Sequence, residues 1–396
     1  MAADDVVLAR AAWSRLVEPG DAVAGALVAA LGPVDALDWL RHSGSPPRLG
    51  APDGTADGVP DRADGRARMT LATAAERWRT RLPTLEPTRD LDVLARIGGR
   101  LVVPEGSGWP DGLADLGPAA PMCLWVRGNA DDAAVRSSLR RSVAIVGARA
   151  CTAYGEHVTA ELAAGVTDRA WCVVSGGAYG VDAVAHRAAL AADGLTVAFL
   201  AGGVDRLYPA GNTELLRAVA DAGALVAEVP PGSVPAKVRF LQRNRLIAAV
   251  ARATVVVEAA WRSGALSTAR HAAALLRPVG AVPGPVTSAS SAGCHRLLRD
   301  GAAVCVTDAA EVLELVESVP APDRPEEPRP GDGLDILQRR TLDALPLRRP
   351  APEDSVARAA GLTEREIRAA LGHLELAGLA VREGAAWRRA NLLGSG

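Results

Sequence analysis

The chain contains 396 residues, and at the usual size of about 100 to 200 residues per domain it should form two to four domains. Hydrophobic residues make up 49% of the sequence but aromatic residues only 3%, so we expect an aliphatic core of the kind found in α/β proteins. The 46 acidic residues nearly balance the 44 basic residues, which excludes a protein that is strongly basic overall. Any phosphate-binding site must therefore be local.

The sequence predicts neither a membrane protein nor a metal-binding protein. No apolar run reaches the ~18 residues that a membrane span needs, and Asp4 and Asp5 stand where a signal peptide would carry positive charge. We therefore expect a cytoplasmic protein without a membrane partner. The five cysteines are scattered and none form a C-x-x-C pair, which argues against both a zinc site and a disulfide framework. No metal or other cofactor is expected.

The first 96 residues predict a helical domain of the SAM or helix-hairpin-helix type. Residues 4–41 show helical periodicity with breaks at Pro19 and at Gly32, and a further helix is expected near residues 72–82. Residues 43–66 are rich in Gly, Pro, Asp and Arg and almost lack large apolar side chains, so they predict a flexible insertion.

Residues 97–316 predict a doubly wound, Rossmann-like domain. Short β-branched runs alternate there with helical stretches, which is typical of a parallel sheet with crossover helices. The predicted strands cover residues 143–146, 172–174, 196–200, 225–228, 254–257 and 279–282. The predicted helices lie near residues 155–167, 180–192, 212–222, 242–251 and 265–276.

The last part of the chain predicts a linker followed by a small domain. Residues 317–333 contain five prolines among charged residues, which is typical of a semi-rigid linker. Residues 334–392 then show three helical stretches, and Thr363 with Glu366 forms a capping box at the start of the third. A strand pair around Gly384 completes the pattern of a winged helix.

Three loops at predicted strand ends indicate a binding site, because loop amides and helix N-termini converge at the carboxyl edge of a parallel sheet. The first loop carries Arg149, and the third contains Ser263, Gly264 and Thr268. In the second loop, residues 175–182, glycine amides and a serine hydroxyl are expected to approach an anion. Each loop alone is a weak signal, since Gly-rich turns are also common for steric reasons.

A basic segment with one aromatic residue adds to these loops. Lys237, Phe240, Arg243, Asn244 and Arg245 come just before or within a predicted helix. They combine positive charge for phosphates with a flat ring for a base, which is the combination that a single strand of nucleic acid requires. The alternative for the aromatic ring is ordinary packing in the core.

The order of these motifs resembles the DNA-processing protein A family, also called DprA or Smf, across roughly residues 97–310. The matching runs are V-A-I-V-G-A-R, S-G-G-A-Y-G-V-D, G-G-V-D-R-L-Y-P-A-G-N, F-L-Q-R-N-R-L-I-A, V-V-V-E-A-A-W-R-S-G-A-L-S-T-A and A-V-P-G. The resemblance implies a protein that is not an enzyme. It would bind and protect single-stranded DNA in a basic pocket, dimerise through the Rossmann-like domain and load the RecA recombinase during transformation and recombination.

By position, the resemblance assigns the DNA pocket to Arg149, Ser175, Gly176, Gly177, Lys237, Phe240, Arg243 and Asn244. The strand-end loops add Gly180, Ser263, Gly264 and Thr268. Four positions depart from the family pattern, namely Ala148, Tyr179, Leu241 and His295, where Ser, Arg, Pro and Asn are usual.

Two enzyme classes share this type of sheet. A nicotinamide-dependent oxidoreductase needs G-x-G-x-x-G after the first strand and an acidic residue at the end of the second, and neither is present. A nucleotide phosphoribohydrolase of the Lonely Guy type uses a glutamate in its P-G-G-x-G-T loop, but residues 263–270 contain no carboxylate. Asp182 and His186 are one helical turn apart, yet no nucleophile accompanies them, so structural roles are expected for both.

Overall fold

The computed structural model describes residues 3–42, 71–316, 334–347 and 349–390. The predicted insertion at 43–66 and the predicted linker at 317–333 lie outside these ranges. The chain divides into two compact units, Met1–Pro320 and Ala321–Gly396.

Helices begin the first unit, as the sequence predicted, and they share an apolar core. They are α1 (Ala3–Leu16), α2 (Ala22–Leu31), α3 (Pro33–His42), α4 (Leu71–Arg79) and α5 (Pro87–Arg96). Trp13 and Trp78 meet edge to face in this core, with ring centroids 5.5 Å apart. Asp21 caps α2 by accepting from the amides of Val23 and Ala24, and it also accepts from Trp78 Nε1. Asp21 thus anchors the turn between α1 and α2 to the apolar core.

No single helix of the described ranges is long and apolar enough to cross a membrane. Helices α2 and α3 meet the length and composition of a span only when taken together across a bend of 108°. Their large apolar residues Leu27, Leu37 and Leu40 are buried in the helical core.

These helices pack directly against the rest of the first unit. Trp125 Nε1 donates to Ser14 Oγ over 3.2 Å, and α2 approaches the 3-10 segment Asp111–Ala119 so closely that a side chain at Gly25 would overlap the backbone of Pro118. The domain boundary after residue 96 therefore stays a prediction.

A nine-stranded sheet forms the centre of this unit. Its strands are β1 (Gly99–Val102), β2 (Leu124–Arg127), β3 (Ser142–Val146), β4 (Cys172–Ser175), β5 (Thr196–Leu200), β6 (Ala224–Ala227), β7 (Ala253–Val256), β8 (Val279–Ala281) and β9 (Val304–Cys305), in the spatial order β1-β2-β6-β5-β4-β3-β7-β8-β9. Strands β3 to β9 are parallel, whereas β1 and β2 extend the sheet antiparallel. All six predicted strands are confirmed; β1, β2 and β9 were not predicted.

Helices cover both faces of the sheet. They are α6 (Asp132–Arg140), α7 (Ala153–Thr167), α8 (Val181–Ala191), α9 (Thr213–Ala222), α10 (Lys237–Val250), α11 (Ala265–Ala274), α12 (Ala292–Arg299) and α13 (Ala309–Glu314). Because side chains alternate along a strand, Val143 and Ile145 of β3 pack with α7 and α8, while Ala144 and Val146 pack with α10 and α11. The doubly wound architecture is confirmed.

The second unit has the predicted winged-helix elements. They are α14 (Ile336–Ala344), β10 (Ala351–Pro352), α15 (Glu353–Ala360), α16 (Glu364–Leu376), β11 (Ala380–Glu383) and β12 (Ala386–Arg389). The three strands form an antiparallel sheet in the order β10-β12-β11. Ile367, Leu371 and Trp387 are buried in its core. The capping box of Thr363 and Glu366 begins α16, as predicted.

Candidate nucleic-acid interface

An open pocket of about 990 Å³ lies at the carboxyl ends of β3 and β7. The chain proceeds from β3 through β4, β5 and β6 in one direction, and then continues with β7, β8 and β9 on the other side of β3. Ligands of open α/β sheets bind where the strand order reverses in this way. The pocket therefore occupies the position that the fold favours for a site.

The structure brings eight of the twelve predicted residues to this pocket. Its lining includes Arg149, Lys237, Phe240, Arg243, Asn244, Ser263, Gly264 and Thr268. The other four, all in the loop after β4, lie beside the pocket but not in its described lining: Ser175, Gly176, Gly177 and Gly180.

Arg149 and Lys237 are exposed at the pocket. Arg149 follows β3, and Lys237, the only lysine of the chain, is the first residue of α10. Neither side chain forms an ion pair within the described residues. The sequence had placed Lys237 in a loop before a helix near residue 243. This was wrong because α10 starts after Ala236, which offers no side-chain cap that would mark a helix start in the sequence.

Phe240 is surrounded by cations and not by the apolar core. The guanidinium carbons of Arg149 and Arg243 lie 5.0 and 5.9 Å from its ring centroid, and the ring of Tyr208 lies 5.8 Å away. The Phe240 side chain is half-buried and lines the pocket. The ring thus forms part of the wall of a basic pocket, which combines the cations and the aromatic surface that binding of a single strand uses.

Arg243 and Asn244 line the pocket, but their polar atoms already hold its walls together. Arg243 is only 8% exposed, and its Nη1 donates to the carbonyl oxygens of Gly176 (2.6 Å) and Phe199 (3.0 Å). Burial lowers the pKa of Arg243, while the charge of Asp182 opposes this shift. Asn244 Nδ2 donates to Gly264 O over 3.2 Å, at the start of α11. Both residues therefore position the loops around the pocket.

Three donors of the second loop are already paired within the protein itself. Asp182 Oδ2 accepts from the amides of Gly176 (3.1 Å) and Ala178 (3.4 Å). The fully buried Ser175 hydroxyl donates to Ile145 O over 2.7 Å. Burial raises the pKa of Asp182, against the opposing effects of Arg243 and the two amides. The hydroxyl of Ser175 and the amides of Gly176 and Ala178 therefore have partners within the protein, and anion binding by this loop stays a prediction.

The glycines of this loop allow close packing instead. A side chain at Gly176 would overlap the guanidinium of Arg243, and one at Gly180 would overlap the carbonyl of Ala148. Gly180 also has a φ of 73°, which a residue with a side chain rarely adopts. The loop thus packs closely against residues that line the pocket.

The loop after β7 contributes more than the sequence had assigned to it. Ser263 Oγ accepts from the amide of Ala265 at the start of α11, and Thr268 is buried at the bottom of the pocket. Arg262 and Arg270 also line the pocket, although neither was selected as a site residue. Arg262 is exposed and has no ion-pair partner in the described ranges. Its place in a strand-end loop was the signal that could have identified it.

Two ionisable residues near these loops are structural. His186 is buried with Nδ1 2.8 Å from Thr196 Oγ1, and burial lowers its pKa to about 3. It is therefore a neutral core residue, as expected. Arg245, which the sequence had grouped with the basic segment, forms a buried ion pair of 2.6 Å with Glu228 and does not line the pocket. The described residues contain no group of three or more His, Cys, Asp or Glu that could hold a metal ion.

The fold and the site together define a doubly wound α/β protein with an arginine-rich, aromatic-walled pocket, followed along the chain by a winged-helix unit. The chain belongs to the DNA recombination-mediator protein A family, whose model matches residues 100–317. The model of the DprA winged helix domain matches residues 325–385. These matches confirm the resemblance found in the sequence.

The chain is also similar to individual relatives and solved structures. The chain is 45% identical to a DNA processing protein DprA of Mycobacterium tuberculosis over 400 residues, which cover 97% of this chain and 95% of the relative. The X-ray structure of DprA from Streptococcus pneumoniae has 31% identity and a TM-score of 0.55, covering 63% of this chain and 83% of that one. A structure that addresses the single-stranded DNA binding mode of DprA from Helicobacter pylori has 27% identity and a TM-score of 0.48. It covers 54% of this chain and 94% of that one.

Proposed function

We propose that the pocket binds single-stranded DNA and that the protein protects such strands during DNA processing, in transformation and recombination. One observation carries this proposal: Arg149, Lys237 and Arg262, three exposed cations without ion-pair partners in the described ranges, line the same open pocket as the half-buried ring of Phe240. Cations neutralise the phosphates of a flexible strand, and an aromatic ring stacks on its bases. In a duplex the bases already stack on one another, so the ring has no partner.

We expect the protein to bind single-stranded DNA more tightly than duplex DNA of the same length, with little dependence on sequence. The described lining offers cations and one aromatic ring, which contact phosphates and bases of any sequence. Fluorescence anisotropy with labelled oligonucleotides measures both affinities. The logarithm of the binding constant should fall with the logarithm of the salt concentration by about 0.7 per phosphate neutralised. Equal affinity for both forms of DNA would contradict the proposal.

We further propose that binding is not coupled to an enzymatic reaction. Among the described lining residues Asp182 is the single carboxylate, and it is buried and hydrogen-bonded to two amides. No carboxylate is therefore placed to assist cleavage of a glycosidic bond, as a phosphoribohydrolase of the Lonely Guy type requires. Incubation with nucleoside monophosphates should release no ribose 5-phosphate above background. Release at enzyme-like rates would favour the phosphoribohydrolase instead.

The family membership also supports two protein partners. We propose that the chain forms a homodimer through its Rossmann-like domain and that it delivers bound strands to the RecA recombinase in the cytoplasm. The strand β9 supports the dimer, since it stands at the edge of the sheet formed by the described residues and exposes Val304. Unpaired strand edges with exposed apolar side chains are natural sites of association.

A further inference from the structure

Trp261 is unusual among the tryptophans of this protein. The sequence contains eight, all within the described ranges, and Trp261 alone is exposed, with 57% of its surface accessible. Trp13, Trp78 and Trp125, in contrast, are fully buried. An indole ring is large and mostly apolar, so leaving it in water forgoes one of the largest gains that a side chain can make on burial. A ligand or protein surface that covers the exposed ring of Trp261 would recover this gain.

The position of Trp261 connects it with the pocket. Its neighbours in sequence, Ala260 and Arg262, both line the pocket, and the loop that carries them follows β7. This loop has a fixed backbone. The amide of Ala259 donates to Ser290 O, and the carbonyl of Ala259 accepts from the amide of Gly293, each over 2.7 Å. The exposed ring is therefore attached to an ordered rim of the site.

One face of the ring is already supported by a cation. The guanidinium carbon of Arg296, on α12, lies over the indole at 5.1 Å from the ring centroid. This contact orients the ring and adds positive charge beside it. More than half of the residue still remains in contact with solvent, which leaves surface for a second stacking partner.

We propose that Trp261 is a second stacking platform, on which a nucleobase of the bound strand rests at the rim of the pocket. This inference depends on the proposed single-stranded DNA binding. Phe240 belongs to α10 and Trp261 to the loop after β7, so the two rings are carried by different elements, while Arg149 and Arg262 line the pocket and supply charge for phosphates. A strand that contacts both rings must be longer than one that contacts Phe240 alone. Affinity should therefore rise with oligonucleotide length until the strand reaches the second ring.

Tryptophan fluorescence of the full-length protein tests this directly, because stacking on a base quenches an indole and shields it. Acrylamide should quench an emission component in the parent that is missing in Trp261→Phe, and single-stranded oligonucleotides should protect that component. Trp261→Ala should weaken single-strand binding roughly five- to 150-fold with an unchanged salt slope, since stacking releases no counterion. Trp261→Phe should restore most of the affinity.

Leu276→Ala is the matched control, because Leu276 is 93% exposed and lies before the amino end of β8, whereas the pocket lies at the carboxyl ends of the parallel strands. It should bind DNA like the parent. If Trp261→Ala also binds like the parent, or if DNA leaves the Trp261 emission accessible to acrylamide, the second platform is disproved while single-strand binding stands. Protection of Trp261 by raising the protein concentration without DNA would assign the ring to a contact between copies instead. A parent protein that binds no single strands would refute the proposed function itself.

Discussion

Replacing Arg149 and Lys237 by alanine is expected to weaken single-stranded DNA binding about ten- to a hundredfold for each residue. A lost charge-assisted hydrogen bond to phosphate accounts for roughly 1.5 to 3 kcal/mol. Both side chains are exposed and without ion-pair partners in the described ranges, so Lys237→Ala should change the free energy of unfolding by less than ~0.5 kcal/mol. Arg149→Ala should cost up to about 1 kcal/mol, because it also loses the contact with the ring of Phe240. Anisotropy titrations and thermal melts measure the two effects.

Two further variants make this test specific. Arg252→Ala removes one exposed arginine just beyond the opposite end of α10, and it should bind like the parent. Phe240→Ala should cost ~1 to 3 kcal/mol of binding free energy while the salt slope stays unchanged. If Arg149→Ala and Lys237→Ala both bind single strands like the parent, the DNA site lies elsewhere, even though the family assignment holds.

Arg243→Ala is expected to destabilise the first unit by about 3 to 5 kcal/mol, the usual cost of deleting one partner of a buried charged network. The change leaves the carbonyl oxygens of Gly176 and Phe199 without their donor and removes the positive charge that offsets buried Asp182. Urea unfolding of the full chain, compared with the parent, measures the loss. Arg243→Lys keeps the charge but cannot reproduce both hydrogen bonds at the same geometry, so it should fall between the two.

This test distinguishes two roles for Arg243. The sequence resemblance made it a DNA ligand, whereas its hydrogen bonds make it a support for the ends of β4 and β5. An Arg243→Ala protein that unfolds like the parent but fails to bind single strands would restore the ligand role.

The fold could be predicted largely because the parallel strands are continuous runs of buried aliphatic residues. Residues 143–146 and 254–257, for example, admit hardly any other assignment. Strands β1 and β2 escaped prediction because they are joined by the 3-10 segment Asp111–Ala119, so the usual alternation of strand and α-helix is missing there. Strand β9 has two residues, too few for a periodic signal.

The sequence could predict only those features of the candidate site that depend on where a residue stands relative to a strand or helix. Arg149 stands at a strand end in the sequence as it does in the structure, so its place at the pocket followed. The partner of a donor, however, depends on tertiary neighbours. The sequence Ser175–Gly176 does not indicate that the Ser175 hydroxyl donates to Ile145 O or that the Gly176 amide donates to Asp182. The sequence therefore identified loops that the structure places at or beside one pocket, but it could not distinguish groups with partners inside the protein from free ones.

Lys237 gives the pocket a uniquely reactive amine as well as a positive charge. It is the only lysine among 396 residues, so its side chain is the only primary amine of the protein apart from the α-amino group of the first residue. Amine-selective reagents should consequently modify the mouth of this pocket and no other side chain. Mass spectrometry of the modified peptide would report occupancy of the pocket by DNA as protection from acylation. The native sequence thus carries a single-site label at the place where its ligand is expected.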